Sequence, residues 1–144
     1  MRILAFHLLN DYSGSPKVLG QLIKGWVRHG IGVSLTTSSR GEGFLSGLPQ
    51  VKYHSMHYRF SQNKFLRLVI LALSQALLFF RVLFTAHKSD IIYINTVLPF
   101  GAALAGKLRG CRVIYHVHET SIRPAVLKRF LFGIASATAS EAVF

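Results

Sequence analysis

The first apolar positions, residues 3–9, run almost without interruption, as in a parallel strand covered on both faces. They are closed by Asn10 and Asp11 and are too short for a secretory signal, so a buried first strand is expected. A polar turn follows, Asp11-Tyr12-Ser13-Gly14-Ser15-Pro16. Ser15 stands where a helix N-cap belongs, and Pro16 suits the first helical position, where a missing N–H costs nothing. Leu19, Leu22, Ile23, Trp26 and Val27 then recur at helical spacing, with Lys17, Lys24 and Arg28 on the opposite face. Gly30 ends that helix, and residues 31–37 predict a second strand.

Residues 38–49 read as a loop and 51–54 as a short strand. A long helix is expected over 63–87, a strand over 90–95, a helix over 99–109 closed by Gly110, and a strand over 112–117. A last amphipathic helix carries Leu127, Phe130, Leu131 and Ile134 on one side. This alternation predicts an α/β fold, a Rossmann-like doubly wound parallel sheet. Residues 141–144 look like a strand interrupted as it begins, so the expectation is one domain over 1–144, incomplete at its C-terminus.

Residues 65–84 are the most hydrophobic stretch. Arg67 and Arg81 leave an apolar length of roughly 13 residues, about 20 Å at about 1.5 Å per residue, against a hydrocarbon core of about 30 Å. On a helical wheel Lys64, Arg67, Ser74, Gln75, Arg81 and Lys88 share an arc of about 140°. That pattern favours a sheet-packing helix with a solvated basic stripe over a membrane span. An interfacial helix whose basic residues meet anionic lipid stands between the two.

Composition narrows the partners. With 17 Lys+Arg against 5 Asp+Glu, the formal charge is +12, and such a surface attracts anions. The basic residues are spread over many elements with no aromatic-basic motif, which argues against nucleic acid. The single cysteine, Cys111, excludes an internal disulfide framework and fits a cytoplasmic setting.

Ligands of an open parallel sheet bind beyond the carboxyl ends of its strands. Three places in the sequence meet there. Ser13-Gly14-Ser15 leads into a helix N-terminus, where backbone N–H groups and the helix dipole suit a phosphate, although a plain strand-to-helix turn explains it as well. The pattern lacks the glycines of a dinucleotide site, which argues against NAD and FAD. Asn95-Thr96 follows a strand; it can bond a polyhydroxylated ligand, but capping of the next helix by Thr96 ranks ahead. His116 and His118 fall on one face at the end of the fifth strand, His118 nearer the edge. A third ligand at useful spacing is missing, so no metal is expected, and His116 reads best as a hydrogen-bonded core residue.

Two stretches carry a family likeness. SGSPKVLGQLIKGWVRHGIGVSLTT resembles the opening of family-4 retaining glycosyltransferases of the GT-B fold, and DIIYINTVLPFGAALAGKLRGCRVIYHVHET resembles their later "N…A…K/R…G…Y-x-x-H-[DE]" segment. The resemblance implies the N-terminal, acceptor-side domain of an enzyme moving a hexosyl group from a nucleotide-sugar to a glycan or lipid-linked acceptor. It implies a donor-phosphate and acceptor loop at Gly14 and Ser15 and a catalytic-cleft histidine at His118; beside them Lys17 is expected in the phosphate loop, and Asn95, Thr96 and Glu119 as acceptor contacts in the cleft. Where the family often has a second glycine and an acidic residue, this chain has Ser15-Pro16-Lys17. The resemblance also places the nucleotide pocket in a C-terminal domain that residues 1–144 do not contain, so this chain alone is expected to be inactive. No cofactor is implied, the nucleotide-sugar being a substrate. Arg59, Lys64, Arg67, Lys128 and Arg129 are expected to bring the protein to the inner face of the membrane. The competing class is a non-catalytic basic module that binds anionic lipid or polysaccharide.

Overall fold

The structure is a computed structural model that describes residues 2–10, 12–38, 43–56, 62–118 and 125–143. Its elements are β1 (Arg2–Phe6), α1 (Gly14–Arg28), β2 (Gly32–Ser38), β3 (Val51–Met56), α2 (Lys64–Thr85), β4 (Ile91–Asn95), α3 (Phe100–Leu108), β5 (Arg112–His116), α4 (Ala125–Thr138) and β6 (Glu141–Val143). The strands form one six-stranded sheet, ordered β3-β2-β1-β4-β5-β6. Every pairing is parallel, with Ile3 opposite both Val33 and Ile91, and Asn95 opposite His116.

Alternation along the strands builds two cores. Ile3, Ala5, Val33, Leu35 and Tyr93 face α1, where Leu19 and Ile23 are fully buried. Leu4, Phe6, Ile92, Ile94, Val113 and Tyr115 face the other way, against α2, α3 and α4. The sheet is therefore doubly wound, as the sequence predicts, and the order reverses between β1 and β4. Such a reversal opens a crevice at the strands' carboxyl ends.

Two details depart from expectation. Helix α1 begins at Gly14 with Ser13 as its N-cap, whose side chain makes no capping hydrogen bond; Ser15 and Pro16 lie inside the first turn. Pro16 is tolerated there because the first-turn N–H groups have no intrahelical acceptor in any case.

The second concerns α2, whose orientation is opposite to the one its charges suggest. Ser74 and Gln75, expected on a solvated stripe, are 1% and 2% exposed. Ser74 Oγ donates to the Leu71 carbonyl at 2.8 Å and Gln75 Oε1 accepts from Gly101 N–H at 2.9 Å, while Gln75 Nε2 is buried without a partner among the described residues. Gly101 allows the close approach. A Cβ there would stand 2.2 Å from the Gln75 carbonyl oxygen, so α2 and α3 meet backbone to backbone. With the polar side turned inward beside Leu71, Leu78 and Val82, the apolar side of the wheel faces outward. The helix starts cleanly, Asn63 Oδ1 accepting from the N–H groups of Phe65 and Leu66 at 3.0 and 3.2 Å. Beyond its end, Arg109 donates through Nε and Nη2 to the Ala86 carbonyl at 3.1 and 3.0 Å.

At the opposite end of the sheet from its crevice, Arg2 grips Asp90 at 2.7 Å. Burial alone would raise the Asp90 carboxyl, but the Arg2 guanidinium and the His87 N–H hold it below its ordinary value.

Candidate functional site at the carboxyl ends of β1, β4 and β5

Asn95 closes β4 at the reversal point and is fully buried. Its amide is shared among three other segments. Nδ2 lies 3.1 Å from the Ser15 carbonyl, in the first turn of α1. The carbonyl can only accept, so that end of the amide is the NH2 group. The second N–H is 3.1 Å from His7 Nδ1, just after β1, which makes that ring nitrogen the acceptor. Oδ1 then faces His118 Nε2 at 3.0 Å, after β5, and His118 must donate to it. One side chain thus fixes two imidazole orientations and the start of a helix.

The next residue is held in a costly conformation. Thr96 has φ of 72°, in the left-handed region that a β-branched residue seldom occupies. Its N–H donates to the His116 carbonyl at 2.8 Å, and its Oγ1 accepts from Leu98 N–H at 3.4 Å. Thr96 therefore braces the loop before α3 and does not cap it; the N-cap is Pro99, with no side-chain bond. Expected as ligand contacts, Asn95 and Thr96 instead lie beneath the surface, 0% and 7% exposed, with Asn95's amide occupied by protein groups.

The histidine pair lies on one face, as alternation predicts. The His116 and His118 rings are 4.1 Å apart between centroids and tilted by 32°. Tyr93 Oη lies 2.9 Å from His116 Nδ1. Burial pushes the Tyr93 hydroxyl up to about 12, so it keeps its proton and donates to that nitrogen. Burial, together with the adjoining His118, lowers His116 below the usual imidazole value. His116 is thus a neutral, hydrogen-bonded, half-buried residue, and His118 is the partner nearer the opening.

The α1 N-terminus forms the other lip. Its first turn holds no acidic side chain, and a Cβ on Gly14 would meet no atom within 4 Å. Among the described residues nothing lies over Gly14, and an anion there would meet the N-terminal N–H groups of the helix. Lys17 is exposed, its ammonium 5.9 Å from the centre of the Phe44 ring, which Tyr12 meets edge-on. Asn10 holds that aromatic loop in place: Nδ2 donates to Ser46 Oγ at 2.9 Å, and Oδ1 accepts from Leu45 N–H at 3.0 Å.

The structure thus brings Gly14, Ser15, Asn95, Thr96 and His118 to one edge. The remaining positions fall elsewhere. Lys64 and Arg67 are on the first turn of α2, Lys128 and Arg129 are exposed on α4, and Glu119 and Arg59 lie outside the described residues. The sequence reading missed His7, concealed in an apolar run that it assigns wholly to a strand. A lone polar residue near the carboxyl end of a buried strand was the available signal. Among the described residues, no group of three or more His, Cys, Asp or Glu side chains could hold a metal ion.

Comparison with known proteins adds one match. The family model described as Glycosyltransferase Family 4 matches residues 12–141, which include both lips of the crevice. No curated protein matches the chain.

Proposed function

This chain belongs to glycosyltransferase family 4, a GT-B type domain, and from that premise we propose that it forms the acceptor-side half of a retaining hexosyltransferase. The substrates in this reading are a nucleotide-sugar donor and a glycan or lipid-linked acceptor, handled in the cytoplasm. A C-terminal donor-binding domain would complete the cleft in the full protein, and residues 1–144 alone would not catalyse transfer.

The observation that carries the reading is the Asn95 hub, which sets the α1 N-terminus and His118 on two sides of one crevice. Transfer with retention needs no protein nucleophile if the acceptor attacks from the face the diphosphate leaves. The protein then supplies position and charge stabilisation. The first turn of α1, which holds no acidic side chain and has Lys17 beside it, suits the negative charge that builds on the departing diphosphate. His118, whose Nε2–H is committed to Asn95, is oriented by that bond and turns its ring toward the transferred sugar. Asn95 and His7 act one layer below, as positioning residues. No metal is part of this proposal.

The test is a screen of nucleotide-sugars on the complete protein, with and without membrane extract, followed by His118→Ala in the active combination. Transfer from one donor class is expected, with turnover falling at least tenfold in the variant while its thermal unfolding stays unchanged. Full turnover by His118→Ala, or hydrolysis and transfer of no donor at all, would overturn the proposal.

A further inference from the structure

Helix α2 shows the outside a surface that a solvated helix does not have. Phe65 is 76% exposed, Leu66 48%, Leu73 62%, Leu77 59%, Phe80 54% and Phe84 78%. No charged residue lies among them, because Arg67 and Arg81 sit on the inward margins of the helix. At about 1.5 Å per residue, the 22-residue helix is roughly 33 Å long. Contiguous apolar surface on that scale marks a contact with another apolar phase.

We propose that this face lies in the surface of an anionic lipid bilayer, with α2 parallel to the membrane plane. Two observations select this occupant. The first is the inward face. Ser74 and Gln75 are bonded within the domain and Leu71, Leu78 and Val82 are packed in its core, so the helix cannot leave the sheet to cross a bilayer. It is long and apolar enough to do so by composition alone. An attached helix with one apolar face buries that face to the depth of the headgroup boundary.

The second is charge. Arg81, four residues after Leu77 and three before Phe84, borders the apolar face. It opens into a cavity of about 140 Å³ shared with Lys52, His54 and Arg2. Asp90 is bound to Arg2, and α2 itself contains no acidic residue. Basic groups at the rim of an apolar face complement lipid phosphates, whereas a second copy of this chain, itself at +12, would bring like charge to the same rim. The proposal replaces the electrostatic stripe expected from the sequence with apolar insertion, flanked by charge. It does not depend on the sugar-transfer reading.

Flotation of the protein with vesicles tests it, using phosphatidylcholine alone and phosphatidylcholine with about 30 mol% phosphatidylglycerol. Most of the protein is expected to float with the anionic vesicles, and at least half of that fraction to remain bound when salt is raised to about 0.5 M, where electrostatic attraction is largely screened. Leu73→Glu with Leu77→Glu, both at exposed positions, should reduce flotation at least tenfold without changing the far-ultraviolet spectrum. A second measurement guards against a folding artefact. In Leu77→Trp, lipids brominated in the upper acyl chain should quench the new fluorescence. Trp26, the single native tryptophan, lies in the α1 layer on the other side of the sheet and should be unaffected in the parent chain. Fluorescence of the Leu77→Trp variant left unquenched, or flotation unchanged by the double glutamate variant, would overturn the proposal. So would a concentration-dependent dimer that the double glutamate variant dissolves and that does not float. None of these outcomes bears on donor turnover.

Discussion

Asn95→Asp is the most demanding test of the hub, because it keeps the volume while replacing a donating amide with a carboxylate. Two N–H groups vanish. The Ser15 carbonyl, 3.1 Å away, keeps its intrahelical bond but loses the Asn95 donor and faces an oxygen. Losing that donor and meeting an oxygen at this distance costs about 1–3 kcal/mol. His7 Nδ1, also 3.1 Å away, must then carry a proton to bond the carboxylate, and only the imidazolium also balances its charge. The new charge is fully enclosed, since position 95 is 0% exposed. An imidazole held more tightly protonated in the folded chain adds stability below its ordinary value of about 6.5, and that stability is lost as pH rises through the folded value. At pH 5.5 the variant should therefore lose about 1–3 kcal/mol, the Ser15 contribution. At pH 8.5 an uncompensated buried carboxylate should bring the loss to about 3–5 kcal/mol. Urea unfolding at the two pH values measures the difference, with Asn95→Ala as the comparison in which no charge enters and the loss should not vary with pH. An equal deficit for Asn95→Asp at both pH values would refute the buried three-way assignment.

Other expectations follow from single contacts. Gly101→Ala places a Cβ 2.2 Å from the Gln75 carbonyl oxygen, and urea midpoints should register a loss of about 2–3 kcal/mol as α2 and α3 are forced apart. Gly14→Ala meets open space, so stability should stay within about 1 kcal/mol of the parent while donor turnover by the complete protein falls; unchanged turnover would remove the phosphate from that lip. His54 and His116 are both lowered, by burial first and then by neighbouring Arg81 and Lys52 in the one case and His118 in the other. Their contribution is present above about pH 6.5 and is lost as pH falls through the folded values, so stability should decline from pH 7.5 to pH 5, and His116→Gln should shallow that slope.

The parallel fold was legible because strand and helix periods differ and glycines punctuate them. Residues 16–37 announce a helix and a strand at nearly the observed bounds, and Leu19 and Ile23 are as buried as their spacing requires. The shared edge was legible too, since Ser15, Asn95 and His118 each fall at or beyond the carboxyl end of a strand on the same side of the sheet. Their mutual bonding was not, for register among three non-adjacent segments is a tertiary fact. Nor could His7 be separated from the apolar run around it. The orientation of α2 failed for a more general reason. A helical wheel reports that two faces differ, and assigning the apolar one inward assumes that polar atoms cannot be satisfied inside. The Leu71 carbonyl takes the Ser74 hydroxyl and Gly101 N–H reaches Gln75 Oε1, which makes the inward placement tolerable even with Gln75 Nε2 left without a partner among the described residues, and the assumption no longer holds.

The contact between Gln75 and Gly101 has a mechanical consequence. It joins the helix with the oily outer surface to the first turn of α3, five residues beyond the strained Thr96 and six beyond Asn95. With no side chain between the two backbones there is little slack to absorb a displacement of α2. Any tilt or shift along that helix is passed to the loop that carries the hub. Whatever α2 rests against therefore also sets the posture of the crevice.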